Sequence, residues 1–534
     1  MRMTKTDIKG IGNYYNAADR FIGENIQNGL GDKVAIHYLD QKITYNQLQS
    51  NVNKFGNILK DLGVESEQRI LIVCNDAPEF ISSFYGAVKL GAIPIPVNTL
   101  MKPADYEYFL NNSRARVLVI HEEYWLKIQH LRERFLYLRE VMIISESPVN
   151  EENVIDYHAA MKDVSNQLDT EHTAAADYGF WLYTSGSTGE PKGVMHLQKT
   201  MEYCYNTYAK EILVFREDDI TFSASKLFFA YGMGNGMYFP LGAGASTVLM
   251  PERPTAEKLF ETIETHKPTI FFGVPTVYGA MIDLAERTGK TYDLSSIRVC
   301  VSAGEALPEA YVLKWKELFN LDILDGIGST EASHIFISNR IGEIKPGSTG
   351  KAVSGYETKI VNELGEIAGV NEPGDLLIKG DSIASGYWKL NEHNKQKFIG
   401  EWFNTGDKYY KDENGYHWYY GRSDDMMKVG GIWVSPIEIE NSILNHEDVL
   451  EVAVVPDKDE NNLVKPKAFI VLKNGVEPSE SLSDEIKQFV KDHLAPYKYP
   501  RIIEFIDELP KTATGKIQRF KLSESKVGSE LVAQ

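Results

Sequence analysis

Leu182 to Val194 reads "LYTSGSTGEPKGV", with glycines, hydroxyls and one lysine packed behind an apolar run. Successive backbone N–H groups on such a loop form a concave nest for phosphate oxygens. Thr184, Ser185, Ser187 and Thr188 add hydroxyl donors, Gly186 and Gly189 let the main chain approach closely, and Lys192 supplies a point charge. Taken alone, the stretch reads equally well as a surface turn. Its spacing is not that of a Walker A loop, because Gly186 is not followed five residues on by Gly-Lys-Ser/Thr.

A phosphate nest needs a scaffold, and the early chain alternates strand and helix. "KVAIHYLDQKITY" predicts a hairpin turning near Asp40. Thr44 caps a helix whose Leu48, Val52, Phe55 and Leu59 share one face, and Gly63 suits its end. "RILIVC" predicts a buried strand, "PEFISSFYGAVKLG" a helix and "AIPIPVN" an extended segment. The pattern returns as "ITFSAS" followed by "LGAGASTVLM", which predicts two similar strand–helix–strand units and an α/β fold with largely parallel sheets. Four segments follow predicted strands: 185–193, 229–236, 302–308 and 326–331. Ligands of open α/β sheets gather at such carboxyl ends, so the four are expected to share one crevice. Near Tyr420 the texture turns polar and glycine-bearing ("YYGRSDDMMKVGGIWVSP"), which fits a hinge. A compact strand–helix alternation follows, an α+β domain of about 110 residues.

At 534 residues the chain exceeds one ordinary core, so two or more domains are expected. The net charge of −19 argues against nucleic acid or an anionic membrane as partner, while leaving a local anion site open. Cys74, Cys204 and Cys300 are far apart and read as buried free thiols. The N-terminus has no secretory apolar core and no run is long enough to cross a bilayer, so a cytoplasmic protein is expected. A homodimer is left open by the sequence.

"YTSGSTGEPKG", "DGIGSTE", "WFNTGD", "GRSDDMMKVGG" and "PKTATGKIQR" occur in that order over nearly the whole chain. This set resembles the adenylate-forming superfamily of acyl-CoA ligases, amino-acid adenylation domains and firefly-type luciferases. Within it, "KLFFAYGMGNGMYFPL" and "GIGSTEASHIFISNR" are most similar to the benzoate–CoA ligase group. The resemblance implies an N-terminal adenylating domain over 1–423, with two similar α/β subdomains and a smaller β-rich one. It also implies a small mobile α+β domain over 424–534. The implied reaction has two steps: a carboxylate attacks the α-phosphorus of ATP, giving acyl-AMP and pyrophosphate, and the thiol of coenzyme A then displaces AMP.

By the same resemblance Glu331 binds Mg²⁺ with help from Thr184, and Lys516 is the catalytic cation that stabilises charge at the carboxylate and α-phosphate. Ser185, Gly186, Ser187, Thr188, Gly189 and Lys192 attend the phosphates, and Ser329 and Thr330 also bind the nucleotide. Gly304, Glu305, Ala306, Asp325, Gly326 and Ile327 flank the adenine, and Asp407 and Arg422 hold the ribose. Asp424 is the implied hinge, and Gly430 and Gly431 face the incoming pantetheine. Ala230, Tyr231, Gly328, His334 and Ile335 line the implied acyl pocket. "FFAYG" carries no acid to pair with an α-ammonium, which favours a plain carboxylic acid, and aromatic walls suit a flat ring. His334 reads equally as a packed core histidine. Ala332 and Ser333 stand where bulkier Met and Leu are usual in that group. An aromatic acid such as benzoate is the expected substrate. A small cyclic or branched acid, a carrier-protein thiol as acceptor, and a non-catalytic nucleotide-binding relative are the alternatives.

Overall fold

The computed structural model describes residues 14–184, 190–422, 425–429, 432–458, 463–495, 497–511 and 517–524. The sequence expectations for Ser185, Gly186, Ser187, Thr188, Gly189, Asp424, Gly430, Gly431 and Lys516 lie outside these residues.

The expected hairpin pairs Val34–Tyr38 with Gln41–Thr44, and Leu39 turns at φ +49°. Thr44 closes a reciprocal capping box with Gln47 at the start of the helix Tyr45–Asp61. Gly63 ends that helix at φ +71°, where a side chain would be strained. This helix crosses Pro78–Lys89 closely: a β-carbon on Gly86 would lie 2.9 Å from the Val52 carbonyl oxygen.

Both predicted repeats are parallel β–α–β units. Arg69–Val73 and Ile93–Pro96 are neighbours in a five-stranded sheet completed by Val117–His121, Glu140–Ile144 and Ile155–Asp156. Ile220–Ser223 and Ser246–Leu249 are neighbours in a nine-stranded sheet. That sheet continues through Ile270–Gly273, Val299–Ser302 and Ile323–Gly328, all parallel, and ends on antiparallel strands at both edges. The strands are apolar on both faces, as buried parallel sheets are. Ile70 and Ile72 face one core with Phe80, Phe84, Phe272 and Val301, whereas Leu71 and Val73 face another with Phe109 and Trp125. The opposite face of the nine-stranded sheet packs Phe271 and Cys300 against the helices Ala256–His266, Pro275–Thr288 and Glu309–Phe319.

The two repeats differ between their strands. Pro78–Lys89 is one helix, but residues 230–242 break into Ala230–Met233, a wide-turned segment Gly234–Tyr238 and Phe239–Gly242. The glycines there allow close approach: a β-carbon on Gly232 would sit 2.1 Å from the Lys226 carbonyl oxygen. Wide turns of this kind concentrate at functional sites.

Two smaller sheets flank the large ones. The hairpin Tyr178–Thr184/Lys192–Leu197 gains Gly386–Tyr387 as a third strand. Glu357–Val361, Gly374–Lys379, Phe398–Ile399, Trp402–Lys411 and His417–Arg422 form an antiparallel sheet. At the C-terminal end, Val449–Lys458, Val464–Leu472 and Ile502–Phe505 form a sheet with cores on both faces. The helices Pro436–Ile443 and Glu480–His493 cover one face, and Leu509 and Leu522 the other. Cys74, Cys204 and Cys300 are buried free thiols. Among the described residues no helix is long and apolar enough to cross a membrane.

Candidate active site

The hairpin that carries the glycine loop sets Thr184 directly opposite Lys192. Gly386–Tyr387 pairs with the same hairpin, Tyr387 opposite Val194, and this places its phenol beside the loop's base. The Tyr387 hydroxyl donates to Glu331 Oε1 at 2.7 Å, and burial together with Glu331 drives the phenol's pKa up. Lys192 Nζ lies 2.9 Å from His393 Nε2 and 5.6 Å from the centre of the Tyr387 ring. Burial first, and Lys192 second, depress the pKa of His393, so its imidazole accepts from the ammonium.

Glu331 sits on a turn fixed from several directions. Ser329 Oγ accepts the Ala332 N–H at 3.1 Å, and His196 Nε2 donates to the Thr330 carbonyl at 2.8 Å. The Ala384 N–H binds the Glu331 carbonyl at 2.8 Å, and Ser382 Oγ donates to the Ala332 carbonyl at 2.8 Å. Burial lowers the His196 pKa to about 4, which leaves a neutral ring that works as a fixed donor. Ala332 and Ser333 are buried, and Ser333 turns at φ +64°.

Across the cleft, Asp407 and Arg422 are cross-strand partners, with Oδ1 3.1 Å from Nη1. Asp407 is buried and is the main cause of the raised Arg422 pKa. Gly406 turns at φ +80°, and a β-carbon there would meet Lys397 Nζ at 3.1 Å. Gly304, Glu305 and Ala306 follow the strand Val299–Ser302, and Asp325, Gly326 and Ile327 lie on its parallel neighbour Ile323–Gly328. These residues, with Thr184, Lys192, Ser329, Thr330, Glu331, Asp407 and Arg422, line one cleft of about 590 Å³. One oxygen of the buried Asp325 carboxyl finds no hydrogen-bond partner among the described residues, and burial pushes that group's pKa well up.

The small C-terminal unit forms the remaining wall. The N–H of Ile517, the residue after Lys516, donates to Glu305 Oε1 at 3.0 Å, and Tyr311 Oη donates to the Leu450 carbonyl at 3.1 Å. Arg519 lines the cleft and grips Glu440 with both ends of its guanidinium, the shortest contact being 2.7 Å.

Of the residues assigned to the acyl pocket, Gly328 lines the cleft itself. A β-carbon there would fall 2.6 Å from the His334 carbonyl oxygen. Tyr231, His334 and Ile335 lie behind it. Ile335 pairs with Gly328 across the strands, and the Tyr231 ring is 5.5 Å from that of His334. Ala230 opens the short helix that carries Tyr231. His334 packs against Phe239 at 4.4 Å, bonds Asn235 Oδ1 at 3.0 Å, and is held neutral by burial, its pKa lowered to about 3. Of the four post-strand segments, 229–236 therefore lies beneath the crevice rather than on its rim.

Tyr387, His393, Glu440 and Arg519 escaped the sequence reading. Arg519 had a signal, three residues after Lys516 in "GKIQRF"; Tyr387 had only the aromatic pair of "GYW". For a magnesium ion the donor set fits. Glu331 and Thr184 offer hard oxygens, and no group of three or more His, Cys, Asp or Glu that could cage a metal exists among the described residues. That combination suits an ion held mostly by nucleotide phosphates and water.

Glu331, Lys192 and the Asp407–Arg422 pair share one cleft with residues at the carboxyl ends of the parallel strands Val299–Ser302 and Ile323–Gly328, and the chain belongs to the AMP-binding enzyme family. Residues 24–388 match the AMP-binding enzyme model, and residues 438–516 match the AMP-binding enzyme C-terminal domain. The chain is 47% identical to a benzoate–CoA ligase of Thauera aromatica, over 95% of each chain. It superposes on an anthranilate CoA ligase, solved with anthranoyl-AMP, at a TM-score of 0.92 and 44% identity, covering 97% of this chain and 98% of that one. A benzoate CoA ligase from Burkholderia xenovorans LB400 gives 0.88 and 41%, over 96% and 100%.

Proposed function

We propose that the protein is an AMP-forming ligase that joins an aromatic carboxylic acid, benzoate or a close analogue, to coenzyme A. The observation that carries this reading is the cleft in which Glu331, Lys192 and the Asp407–Arg422 pair face one another, with neutral Tyr231 and His334 behind Gly328.

The acid's ring lies against Tyr231 and His334, and its carboxylate points to the cleft. Asp407 accepts from the ribose hydroxyls, and Arg422 keeps that carboxylate oriented. Thr184 and Glu331 would hold magnesium, which when bound neutralises phosphate oxygens. The acid's oxygen attacks the α-phosphorus, an O–P bond forms, and the bond to pyrophosphate breaks. Two unit charges 4 Å apart still repel by about 4 kcal/mol at an effective dielectric of 20, and Lys516 offsets that repulsion as the reactants close. The thiol of coenzyme A then attacks the acyl carbonyl, and AMP leaves. Lys516 belongs to the unit we assign to 424–534 and the cleft to 1–423, with Asp424 as hinge and Gly430 and Gly431 on the thiol's path. Motion of that unit lets the lysine serve one step and vacate the space for the next. The segment 228–232 offers no acid for an α-ammonium, which separates this pocket from one for amino acids.

Pyrophosphate release measured over a panel of acids, with and without coenzyme A, tests the reading. Release that requires an aryl acid, with a thioester formed when coenzyme A is present, supports it. Release that coenzyme A never converts to thioester points to a carrier-protein acceptor, and no release with any acid removes the proposal.

A further inference from the structure

A buried charge pair joins the two repeats at matching places. Asp76 lies three residues beyond the strand Arg69–Val73, and Lys226 three beyond Ile220–Ser223. Asp76 Oδ2 is 3.8 Å from Lys226 Nζ, with side-chain exposures of 5% and 14%. Asp76 Oδ1 also accepts the Leu227 N–H at 2.9 Å. Lys226 Nζ donates to the carbonyls of Met250 and Glu252 at 2.5 and 2.6 Å. One ammonium thus ties the carboxyl end of one sheet to two segments of the other.

The pair sits at the root of the acyl wall. The Lys226 carbonyl accepts the Phe229 N–H at 3.0 Å, closing the turn from which the helix Ala230–Met233 starts. Gly232 folds back onto the same carbonyl, within 2.1 Å of where a β-carbon would be. With contacts this tight, displacement of Lys226 is passed to Ala230 and Tyr231. Asp76 bonds the Leu227 N–H rather than Ala230 or Tyr231, and none of Asp76, Lys226 and Leu227 is among the described residues that line the nucleotide cleft.

We propose that Asp76 is a positioning residue for acid recognition, holding Lys226 and Leu227 so that Ala230 and Tyr231 present a fixed wall to the aromatic ring. The proposal rests on the aryl-acid ligase reading above. A purely structural pair makes a different prediction, because replacing both charges by apolar side chains of similar size commonly preserves stability. Only a positioning role makes the acid's affinity depend on where the pair holds the turn.

The test uses Asp76→Asn, which keeps an oxygen for the Leu227 N–H but removes the charge, and the double variant Asp76→Asn/Lys226→Met, which removes both charges and carries the test if the single variant does not fold. KM values for acid and ATP are measured separately, alongside thermal melting and deuterium exchange over residues 225–232. We expect Asp76→Asn to raise the acid KM about tenfold, with kcat and the ATP KM within twofold, and to speed exchange over 225–232. The double variant should recover the melting temperature without recovering the acid KM. An acid KM within twofold of the parent in either folded variant, or an ATP KM that rises in step with it, overturns the proposal. If the parent protein forms no acyl-AMP with any acid, the ligase reading falls; exchange over 225–232 then judges the strut alone, and an unchanged rate in the variants overturns it.

Discussion

Replacing Tyr387 by Phe removes one oxygen and leaves its ring, so it isolates the bond to Glu331. The hydroxyl donates to Glu331 Oε1 at 2.7 Å, across 56 residues of sequence. The ring packs against His393 at 5.0 Å and Phe398 at 5.5 Å, and neither contact involves the hydroxyl. A hydrogen bond to a charged group contributes roughly 1.5–3 kcal/mol net. Glu331 is only partly buried, so water can take up the vacated position, and the lower figure applies. About 1.5 kcal/mol corresponds to roughly tenfold in rate or affinity. Loss of a partner that orients a metal-binding carboxylate costs about 10–100-fold in metal affinity or activity in known metal sites, which brackets the same value. The assay is pyrophosphate release at saturating acid and ATP while magnesium is titrated. The expected result is a magnesium requirement shifted about tenfold upward, with the acid KM and melting temperature nearly unchanged. A titration that overlays the parent's would refute the idea that this phenol orients the carboxylate.

Lys516→Ala should slow acyl-AMP formation by about three orders of magnitude, the equivalent of roughly 4 kcal/mol of uncompensated repulsion, while authentic acyl-AMP still reacts with coenzyme A; full-speed adenylation would remove the lysine's role. Gly431→Leu should leave adenylation intact and suppress thioester formation, and normal thioester yield would clear that loop of any part in the thiol's path. Stability should fall as the solution is acidified from pH 7 to pH 5, read as melting temperature. His121, His196, His334 and His417 are held neutral by burial, with pKa values lowered to about 4, 4, 3 and 4, so each gains its proton mainly on unfolding below pH ~6.5. Each then costs roughly 1.4 kcal/mol per pH unit, against smaller returns of opposite sign from two carboxyls, Asp76, which burial pushes up to about 6, and Asp325, which burial pushes well up. A flat profile over that range would contradict these assignments.

What the chain reveals to inspection follows the range of the interactions. The Thr44 cap, the Gly63 stop and the paired β–α–β repeats are local and were legible, though Gln47's reciprocal bond to the cap was not. The family motifs picked out Glu331, Asp407 and Arg422, which the structure brings to one cleft, but nothing local could show what fixes them. His196 reaches Thr330 across 134 residues, and Asp76 reaches Leu227 across 151. The proposed acyl wall was the hardest part. "FFAYG" disclosed an aromatic surface, yet its break into short wide turns depends on how Gly232 meets the Lys226 carbonyl. The neutral state of His334 depends on burial behind Gly328, which no motif encodes.

The cleft's own charge explains why these parts are needed together. Its lining includes Glu305, Asp325, Glu331, Asp375, Asp407, Asp425, Glu440 and Glu451, against Lys192, Lys397, Arg422 and Arg519. Acids therefore outnumber bases in a site that must receive a polyanion. Two of the bases are already engaged, Arg422 with Asp407 and Arg519 with Glu440, and two of the acids are paired with lysines, Asp375 with Lys408 and Glu451 with Lys511. With those pairs set aside, the described lining still sets Glu305, Asp325, Glu331 and Asp425 against Lys192 and Lys397. Burial pushes the Asp325 pKa well up, and acids still outnumber bases in the lining when that carboxyl is left out of the count. Backbone N–H groups bind phosphate without carrying net charge, so a nest of them supplies no net positive charge. On the proposed mechanism that charge arrives with the reactants, as a divalent ion on the nucleotide, and with the C-terminal unit, as Lys516. ATP stripped of its metal should accordingly bind far more weakly than the magnesium complex. The acyl adenylate has shed the pyrophosphate's charge, so it should be retained with Lys516 withdrawn, which gives the thiol its opening.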